Sequence, residues 1–316
     1  MDAVTVRLEP LPADRFDAWL AAMRERLIRR RRESGLRPGA DAEEHVDAIV
    51  AQLQPQGGAR GASVVLGILI DEVEVGTAWL SLPGERAFLI DAHTERALDD
   101  DELDDVHELI EDLARETGAV TLSADVFAGD DETRRLLDDR GFEVSSIQMM
   151  LDPLPGRADA DERIEVVPMS VERFSRFASD AEQGFAQELA ATGRVSLEDA
   201  VEEARRQFRT ELPDGVDTEG QELFTATVDG EEVGVLWLAR RTRGGAPHGF
   251  ILDIEVDAAH QRRGYGRALM HAAERETRRM GAVSLGLHVF GGNAPAVALY
   301  EQLGYRRLQE LVVKKL

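Results

Sequence analysis

The sequence predicts an α/β (α+β) protein made of two consecutive copies of one domain, each a mixed, mostly antiparallel sheet flanked by helices. The first observation is an internal repeat, in which residues recur 158 to 163 positions apart. The repeated pairs include Pro10 and Pro168, Arg15 and Arg173, Phe16 and Phe174, Gly76 and Gly234, Trp79 and Trp237, Gly118 and Gly281, and Val126 and Val289. The second observation is that both copies have the same order of strands and helices. The length of 316 residues also suits two domains.

The repeat places a first domain at 1–151, a linker at 152–162 and a second domain at 163–316. Pro153, Pro155 and Gly156 indicate the linker, because two prolines and a glycine disfavour both a helix and a central strand. The separation between the copies grows from 158 to 163 between Leu238 and Gly281, which predicts a small insertion in the second copy.

The elements of the second copy follow from hydrophobic periodicity and capping residues. Ser196 suits the N-cap of the second helix, and Asp229-Gly230 is typical of a hairpin turn. Helices are predicted at 171–190, 196–212, 266–280 and 294–303, and strands at 223–228, 233–238, 250–256, 283–289 and 306–313. Alternating strands and helices after a hairpin predict a mixed sheet with helices on its faces.

Composition excludes several functional classes. The formal charge is −24, which argues against nucleic acid or an anionic membrane as a partner, because both need a basic face. The chain has no cysteine, so disulfides, thiolate metal sites and a cysteine nucleophile are excluded, and we expect no metal. No apolar run approaches a membrane span and the first residues lack a signal-peptide pattern, so we expect a cytoplasmic protein, either a monomer or a homodimer.

The segment Gln261-Arg262-Arg263-Gly264-Tyr265-Gly266-Arg267 lies between an apolar strand and a long amphipathic segment. Two glycines let the backbone approach a bulky ligand, and the helix that follows adds the positive end of its dipole. The segment therefore predicts a phosphate-binding loop that opens a helix.

Two motifs together resemble the GNAT acyltransferase superfamily, whose members usually acetylate amines from acetyl-CoA. The strand 250–256 followed by Gln261, Gly264 and Gly266 resembles the pyrophosphate motif of that family. The segment 293–305 resembles its second signature. The specific match covers under a fifth of the chain, and the rest fits through the order of its elements. The chain is therefore expected to be a tandem GNAT protein.

The resemblance implies which residues hold acetyl-CoA as cosubstrate. Backbone N–H groups of 262–267 would bind the pyrophosphate, and Ile254 or Val256 would donate an N–H to the thioester carbonyl. Asn293 resembles a CoA-contacting asparagine, although its position is equally explained by an N-cap. The implied cofactor-binding residues are Ile254, Val256, Gln261, Arg262, Arg263, Gly264, Tyr265, Gly266, Arg267 and Asn293.

Tyr300 resembles the tyrosine that protonates the departing thiolate. A general base is also needed, since a protonated amine has no lone pair with which to attack. Many family members have a glutamate where this chain has Phe250, so the base must be another residue. Asp253 and Glu255 alternate away from the apolar face of their strand, and His288 is a further candidate. A bulge in the strand would reverse that alternation. His248 is a possible substrate contact.

The first copy departs from these motifs. The repeat carries Gly264 back to Asp101 or Glu102, inside the acidic run 99–105, and Tyr300 back to Leu137. Carboxylates there would repel phosphates, so we expect no CoA site in the first copy. An Arg cluster at Arg24, Arg26, Arg29, Arg30, Arg31 and Arg32 is expected to form a solvated helix face paired with local carboxylates. An interdomain or subunit contact, or a site for an acidic group, is the alternative.

These observations predict an N-acetyltransferase in which a primary amine directly attacks acetyl-CoA in the second copy. The acceptor would be a small molecule or a peptide amine. The alternative is a non-catalytic acyl-CoA-binding sensor or interaction protein, which would keep the loop and lack the chemistry.

Overall fold

A computed structural model describes residues 5–53, 63–156, 161–191 and 196–316. The chain forms two compact units, one of residues 1–147 with 308–316 and the other of residues 148–307. The predicted fold class is confirmed, because each unit is a mixed, mostly antiparallel sheet with helices. Part of the predicted linker, 157–160, lies outside the described residues. The remainder, 152–156 and 161–162, contains neither helix nor strand.

The first unit begins with a strand and two helices, continues with a three-stranded meander, and ends with alternating helices and strands. Its strands are β1 Val6–Pro10, β2 Ser63–Ile70, β3 Val73–Ser81, β4 Arg86–Thr94 and β5 Thr121–Phe127. Its helices are α1 Phe16–Glu33, α2 Ala40–Leu53, α3 Asp100–Glu116 and α4 Asp131–Leu137. β6, Glu143–Leu151, crosses the boundary between the units.

The second unit repeats this order. Its strands are β7 Glu165–Pro168, β8 Gln221–Val228, β9 Glu231–Arg243, β10 Ala246–Val256 and β11 Ser284–Phe290. Its helices are α5 Val171–Ala191, α6 Leu197–Glu211, α7 Tyr265–Arg279 and α8 Ala294–Gln302. The last strand of the chain is β12, Arg306–Lys315. The helices and strands predicted for the second copy are all present, whereas β7 was missed because it has only four residues.

The carboxy-terminal strand belongs to the first unit, whereas the repeat predicted it in the second domain. β12 pairs antiparallel with β5, from Gln309 opposite Phe127 to Lys315 opposite Thr121. Lys314 also pairs with Glu111 of α3, which anchors the strand to that unit. The strand order is β1-β2-β3-β4-β5-β12 in the first unit, and β6-β11-β10-β9-β8-β7 in the second, where β6 contributes its residues from Gln148 onward.

The same packing recurs in the two units at the predicted separation of 158. In the first, Trp79 contacts Trp19 edge-on, with ring centroids 5.9 Å apart and planes at 88°. In the second, Trp237 contacts Phe177 at 6.1 Å and 87°. The indole N–H groups donate to equivalent partners, at 2.7 Å to Ser63 and 2.8 Å to Gln221. The repeat therefore identifies equivalent positions in α1 and α5 as well as in the sheets.

Candidate functional site

The site of the second unit begins where two parallel strands separate. β10 and β11 are paired from His248 opposite Ser284 to Ile251 opposite Leu287. β10 then continues to Val256 and β11 to Phe290. The register of β10 on β9 also shifts between Ile251 and Asp253, so the bulge anticipated from the sequence is present. Separated strands leave a gap in the sheet that side chains or a ligand can enter.

A cavity of about 480 Å³ lies at this gap. Its apolar lining includes the aromatic residues Phe185, Phe208, Trp237, Phe250 and Phe290, together with aliphatic residues such as Ile251, Leu252, Ile254, Leu287 and Val289. Its polar lining contains the candidate bases Asp253, Glu255 and His288, the candidate acid Tyr300 and Asn293, together with Asp180, Glu188, Gln207 and Glu211. The structure therefore brings all four predicted catalytic residues to one cavity, as the bulge allows neighbouring positions of β10 to face it.

Asp253 is the most perturbed carboxyl group of the cavity. Burial raises its pKa to about 7, and the negative charges of Glu255 and Glu188 act in the same direction. Partial burial together with Asp257 and Asp180 raises the pKa of Glu255, and partial burial with Glu255 raises that of Glu188. A carboxyl group that titrates near neutrality is suited to accept a proton from an amine.

Tyr300, which lines the same cavity, is suited to donate a proton rather than to accept one. Its side chain is only 8% exposed. Burial raises its pKa to about 12, and the charges of Asp253 and Glu188 contribute. The phenol therefore keeps its proton at neutral pH and can donate it. The ring lies 5.9 Å from that of Tyr305, which is buried beside it and does not line the cavity.

The predicted loop opens α7 without a side-chain cap. Gly264 is the N-cap, in the left-handed region with φ of 84°, and as a glycine it has no side chain with which to bond the first-turn N–H groups. A helix N-terminus left this way offers N–H donors and the positive end of the dipole to an anion. Arg262 also has a positive φ of 63°, which shapes the turn before the helix. A Cβ at Gly266 would meet Leu299 at 3.4 Å, so the helix packs closely there.

The polar side chains of the loop hold its shape. Gln261 Nε2 donates to the Val256 carbonyl at 3.0 Å, Arg263 to the Ala259 carbonyl at 3.2 Å, and Arg267 to Gln302 at 2.7 Å. Asn293 caps α8 through its side-chain oxygen and the N–H of Ala296 at 3.3 Å, and it also lines the cavity. The N-cap role of Asn293 is therefore present, and its exposure leaves a ligand contact open.

Arg163 is a residue of this loop region that sequence reasoning missed. Its Nη1 donates to the Arg263 carbonyl at 3.4 Å, and its guanidinium lies over the Tyr265 ring at 5.7 Å. A Cβ at Gly264 would come within 3.0 Å of its Nη2. The guanidinium is held by Asp161, with the shortest contact at 2.6 Å. Its distance in sequence from the glycine motif left no signal to find it.

The two histidine candidates have different surroundings. His288 is exposed, lines the cavity and lies 5.5 Å from the Phe290 ring in an edge-on arrangement. His248 is buried and shares a 2.8 Å hydrogen bond with Ser284. Burial lowers the pKa of His248 to about 4. His248 is not among the residues that line the cavity, and its hydrogen bond with Ser284 joins β10 to β11.

The equivalent region of the first unit is closed by arginines. Arg26 and Arg30 of α1 each donate to Asp91 at 2.7 Å, and Arg31 is buried, with its guanidinium 4.8 Å from the Phe127 ring centre. The expectation of a solvated face is therefore wrong for these three arginines, because α1 packs them into the unit. It is correct for Arg24 and Arg32, which pair with exposed Asp47 and Glu43.

The start of α3 differs from that of α7. Asp99 is the N-cap and forms a capping box with Glu102, so side chains of the chain itself bond the helix start. Arg96 pairs with Glu102 at 2.6 Å. The connection from β4 to α3 has five residues, whereas that from β10 to α7 has eight. The shorter connection makes Asp99, and not the predicted Asp101 or Glu102, the counterpart of Gly264 at the N-cap.

Comparisons with known proteins agree with this geometry. Residues 185–305 match the model of the Acetyltransferase (GNAT) family. An uncharacterized N-acetyltransferase of Bacillus subtilis, YycN, is 29% identical over 154 residues, which are 48% of this chain and 99% of that protein. The ribosomal protein bS18-alanine N-acetyltransferase of Escherichia coli is 44% identical over 55 residues, 17% of this chain and 37% of that enzyme.

A solved tandem GNAT protein from the clavulanic acid biosynthesis pathway covers 98% of both chains at 17% identity, with a TM-score of 0.45. In the described part of this chain, no helix has the length and apolar character needed to cross a membrane.

The loop at Gly264, the cavity residues of β10 and the helix that carries Tyr300 all lie within the matched segment. Residues 185–305 thus form an acetyltransferase domain of the GNAT family.

Proposed function

We propose that the second unit transfers an acetyl group from acetyl-CoA to a primary amine by direct attack. The observation that carries this proposal is that Asp253 and Tyr300 line the same cavity. At neutral pH the first can accept a proton and the second can donate one. The pKa of Asp253 is raised to about 7, so at neutral pH it can take a proton. The pKa of Tyr300 is raised to about 12, so it can give one.

The start of α7 supports acetyl-CoA as the donor. Its uncapped first turn follows Gly264, and cationic side chains of Arg163, Arg262 and Arg263 surround it. N–H groups and guanidinium groups together suit the charges of a pyrophosphate. When bound, CoA supplies the activated acetyl thioester, and the residues of this chain orient it and move the protons.

The proposed reaction uses the cavity residues in sequence. Asp253 accepts a proton from the ammonium group, and the free amine attacks the thioester carbonyl carbon. A backbone N–H of Ile254 or Val256 stabilises the negative oxygen. The C–N bond forms to give a tetrahedral intermediate, whose nitrogen then loses its extra proton to solvent. As the C–S bond breaks, Tyr300 donates its proton to the departing sulfur, and the phenolate takes a proton back from solvent. Glu255 and His288, the other base candidates, are assigned to acceptor binding.

Release of free CoA thiol from acetyl-CoA, measured over a panel of primary amines, tests the proposal. We expect amine-dependent thiol release that Asp253→Asn and Tyr300→Phe each reduce by about 100-fold. Calorimetry with CoA should give the same affinity for both variants as for the unaltered protein. CoA binding without thiol release on any amine would favour the alternative of an acyl-CoA sensor.

A further inference from the structure

The first unit contains a filled counterpart of the cavity. Asp91 on β4 and Asp253 on β10 occupy equivalent positions, because each lies opposite the repeated tryptophan, Trp79 or Trp237, next to a register shift. Their separation of 162 lies between the values of 158 and 163 found for the repeat on either side. What contacts Asp91 therefore indicates what could contact Asp253.

Two cations contact Asp91. Arg26 Nη2 and Arg30 Nη1 each lie 2.7 Å from its carboxylate oxygens. Asp91 is 2% exposed, and Arg26 is 9% exposed. Burial lowers the pKa of Arg30, but the charges of Asp91, Asp130 and Glu132 outweigh it and hold the pKa above its ordinary value. The carboxylate of the first unit is thus neutralised by guanidinium groups that reach it from α1.

The second unit lacks both cations. The equivalent edge-on pairs Trp19–Trp79 and Phe177–Trp237 fix a separation of 158 between α1 and α5. Further along the same helix, about two turns on, Arg26 corresponds to Gly184, and about three turns on, Arg30 corresponds to Glu188. Gly184 and Glu188 both line the cavity. Gly184 leaves open the space that the Arg26 side chain takes in the first unit. Glu188 has a negative charge where Arg30 has a positive one.

Four carboxylates of the cavity, Asp180, Glu188, Asp253 and Glu255, form no ion pair in the described part of the chain, and no Lys or Arg is among the lining residues described there. Arg173 is the exception at longer range, because its charge lowers the pKa of Glu255. The nearby arginines pair with carboxylates outside this group of four, one of which, Glu211, also lines the cavity. Arg173 pairs with Glu232, Arg205 with Glu182, and Arg241 with Glu211. The aromatic lining adds ring faces, which also attract cations.

We infer that the acceptor carries a second cationic group, as in a linear diamine, and that this group neutralises the carboxylates of the cavity as Arg26 and Arg30 neutralise Asp91 in the first unit. One amine must lose its proton to attack and then carries no charge. The second stays protonated and pairs with Glu188 and Glu255, while a carboxylate on the acceptor would be repelled. This inference rests on the proposed acetyl transfer.

Three acceptors of similar length test it: 1,4-diaminobutane, 1-aminobutane and 4-aminobutanoate, which differ in the group at the far end. We expect kcat/KM to be at least about tenfold higher for the diamine than for the monoamine, and lowest for the amino acid. Equal kcat/KM for the diamine and the monoamine would overturn the inference while leaving acetyl transfer intact. No thiol release on any of the three, together with none on a wider amine panel, would instead count against the proposed function.

Variants of Glu188 sharpen the test. At a pH above the acidic limb, Glu188→Gln should lower the ratio of kcat/KM for 1,4-diaminobutane to that for 1-aminobutane by about tenfold. Glu188→Asp should retain most of the preference, because it keeps the charge. Glu172→Gln, on an exposed position of α5 that does not line the cavity, is the matched control. A uniform loss on both amines in Glu188→Gln would contradict a role in holding the second cation.

Discussion

Asp91 and Asp253 occupy the same position on the bulged strand of the two units, yet Asp91 is neutralised by two arginines and Asp253 faces a cavity. The strand pairing beside the bulge is therefore equivalent in the two units, and the residues of one helix differ in whether they neutralise this aspartate. In the first unit, α1 contributes guanidinium groups to it. In the second, α5 contributes a glycine and a glutamate, which leaves room for a ligand.

Tyr300→Phe should lower kcat by about 100-fold with little change in the KM of either substrate, because it removes only the proton donated to sulfur. Tyr305→Phe is the matched control, since its ring is 5.9 Å away and does not line the cavity. Steady-state kinetics of both variants checks this. Equal rates for Tyr300→Phe and the unaltered enzyme would remove Tyr300 from the mechanism.

Asp253→Asn should stabilise the protein at pH 8 by about 4 kcal/mol and have little effect at pH 4. The folded pKa, about 7, is above that of an unfolded aspartate. The stability contributed by the protonated form is therefore present at low pH and is lost as the pH rises through 7. Urea unfolding at both pH values measures it, with Asp214→Asn at an exposed position as the control. An equal effect at both pH values would contradict a raised pKa.

In a plot of kcat/KM against pH, Glu188→Gln should move the acidic limb to lower pH. The negative charge of Glu188 is one of the causes that raise the pKa of Asp253, after burial and Glu255. Removing the charge makes deprotonation of Asp253 easier, so the base becomes active at lower pH. A pH profile with 1-aminobutane separates this effect from acceptor binding. An unchanged limb would show that Asp253 and Glu188 do not interact in the working enzyme.

The sequence was sufficient for the repeat, the elements of the second unit other than β7, and the glycines that open α7, because these depend on periodicity, capping residues and glycines. It did not predict the partner of β12, since pairing between distant strands depends on packing that no local pattern reports. Half of the Arg cluster was misjudged for a similar reason. The carboxylates that bury Arg26 and Arg30 lie far away in sequence, on β4 and at α4.

The sequence indicated Asp253, Glu255 and His288 as candidate bases without distinguishing among them. The alternation along a strand predicts which way a side chain points but not how deeply it is buried. The bulge after Ile251 changes which neighbours of β10 face the cavity. Glu188 was missed entirely. A comparison of Arg30 with Glu188 at the repeat separation would have revealed it, since a reversal of charge at equivalent helix positions is visible in the sequence.

Arg163→Ala should raise the KM for acetyl-CoA by about tenfold and leave kcat nearly unchanged. The guanidinium lies at the opening of α7, where a phosphate would replace part of its contact with Asp161. The same variant assayed with the 3′-dephospho form of acetyl-CoA identifies which phosphate it contacts. If Arg163→Ala raises the KM for both donors by the same factor, the contact is with the pyrophosphate. An unaltered KM for acetyl-CoA itself would exclude Arg163 from the donor site.

Calorimetry should find one CoA site per chain. The N–H groups that open α3 are bonded by Asp99 and Glu102, and their carboxylates would repel a phosphate, whereas α7 opens at Gly264 without a cap. Gly264→Asp should abolish binding, and Gly264→Asn, which adds a similar side chain without charge and tolerates a positive φ, should weaken it less. Two sites per chain, or residual binding of full affinity in Gly264→Asp, would place CoA elsewhere. If the chain has one CoA site and Gly264→Asp abolishes binding to it, the charge at the helix start decides which unit binds the donor.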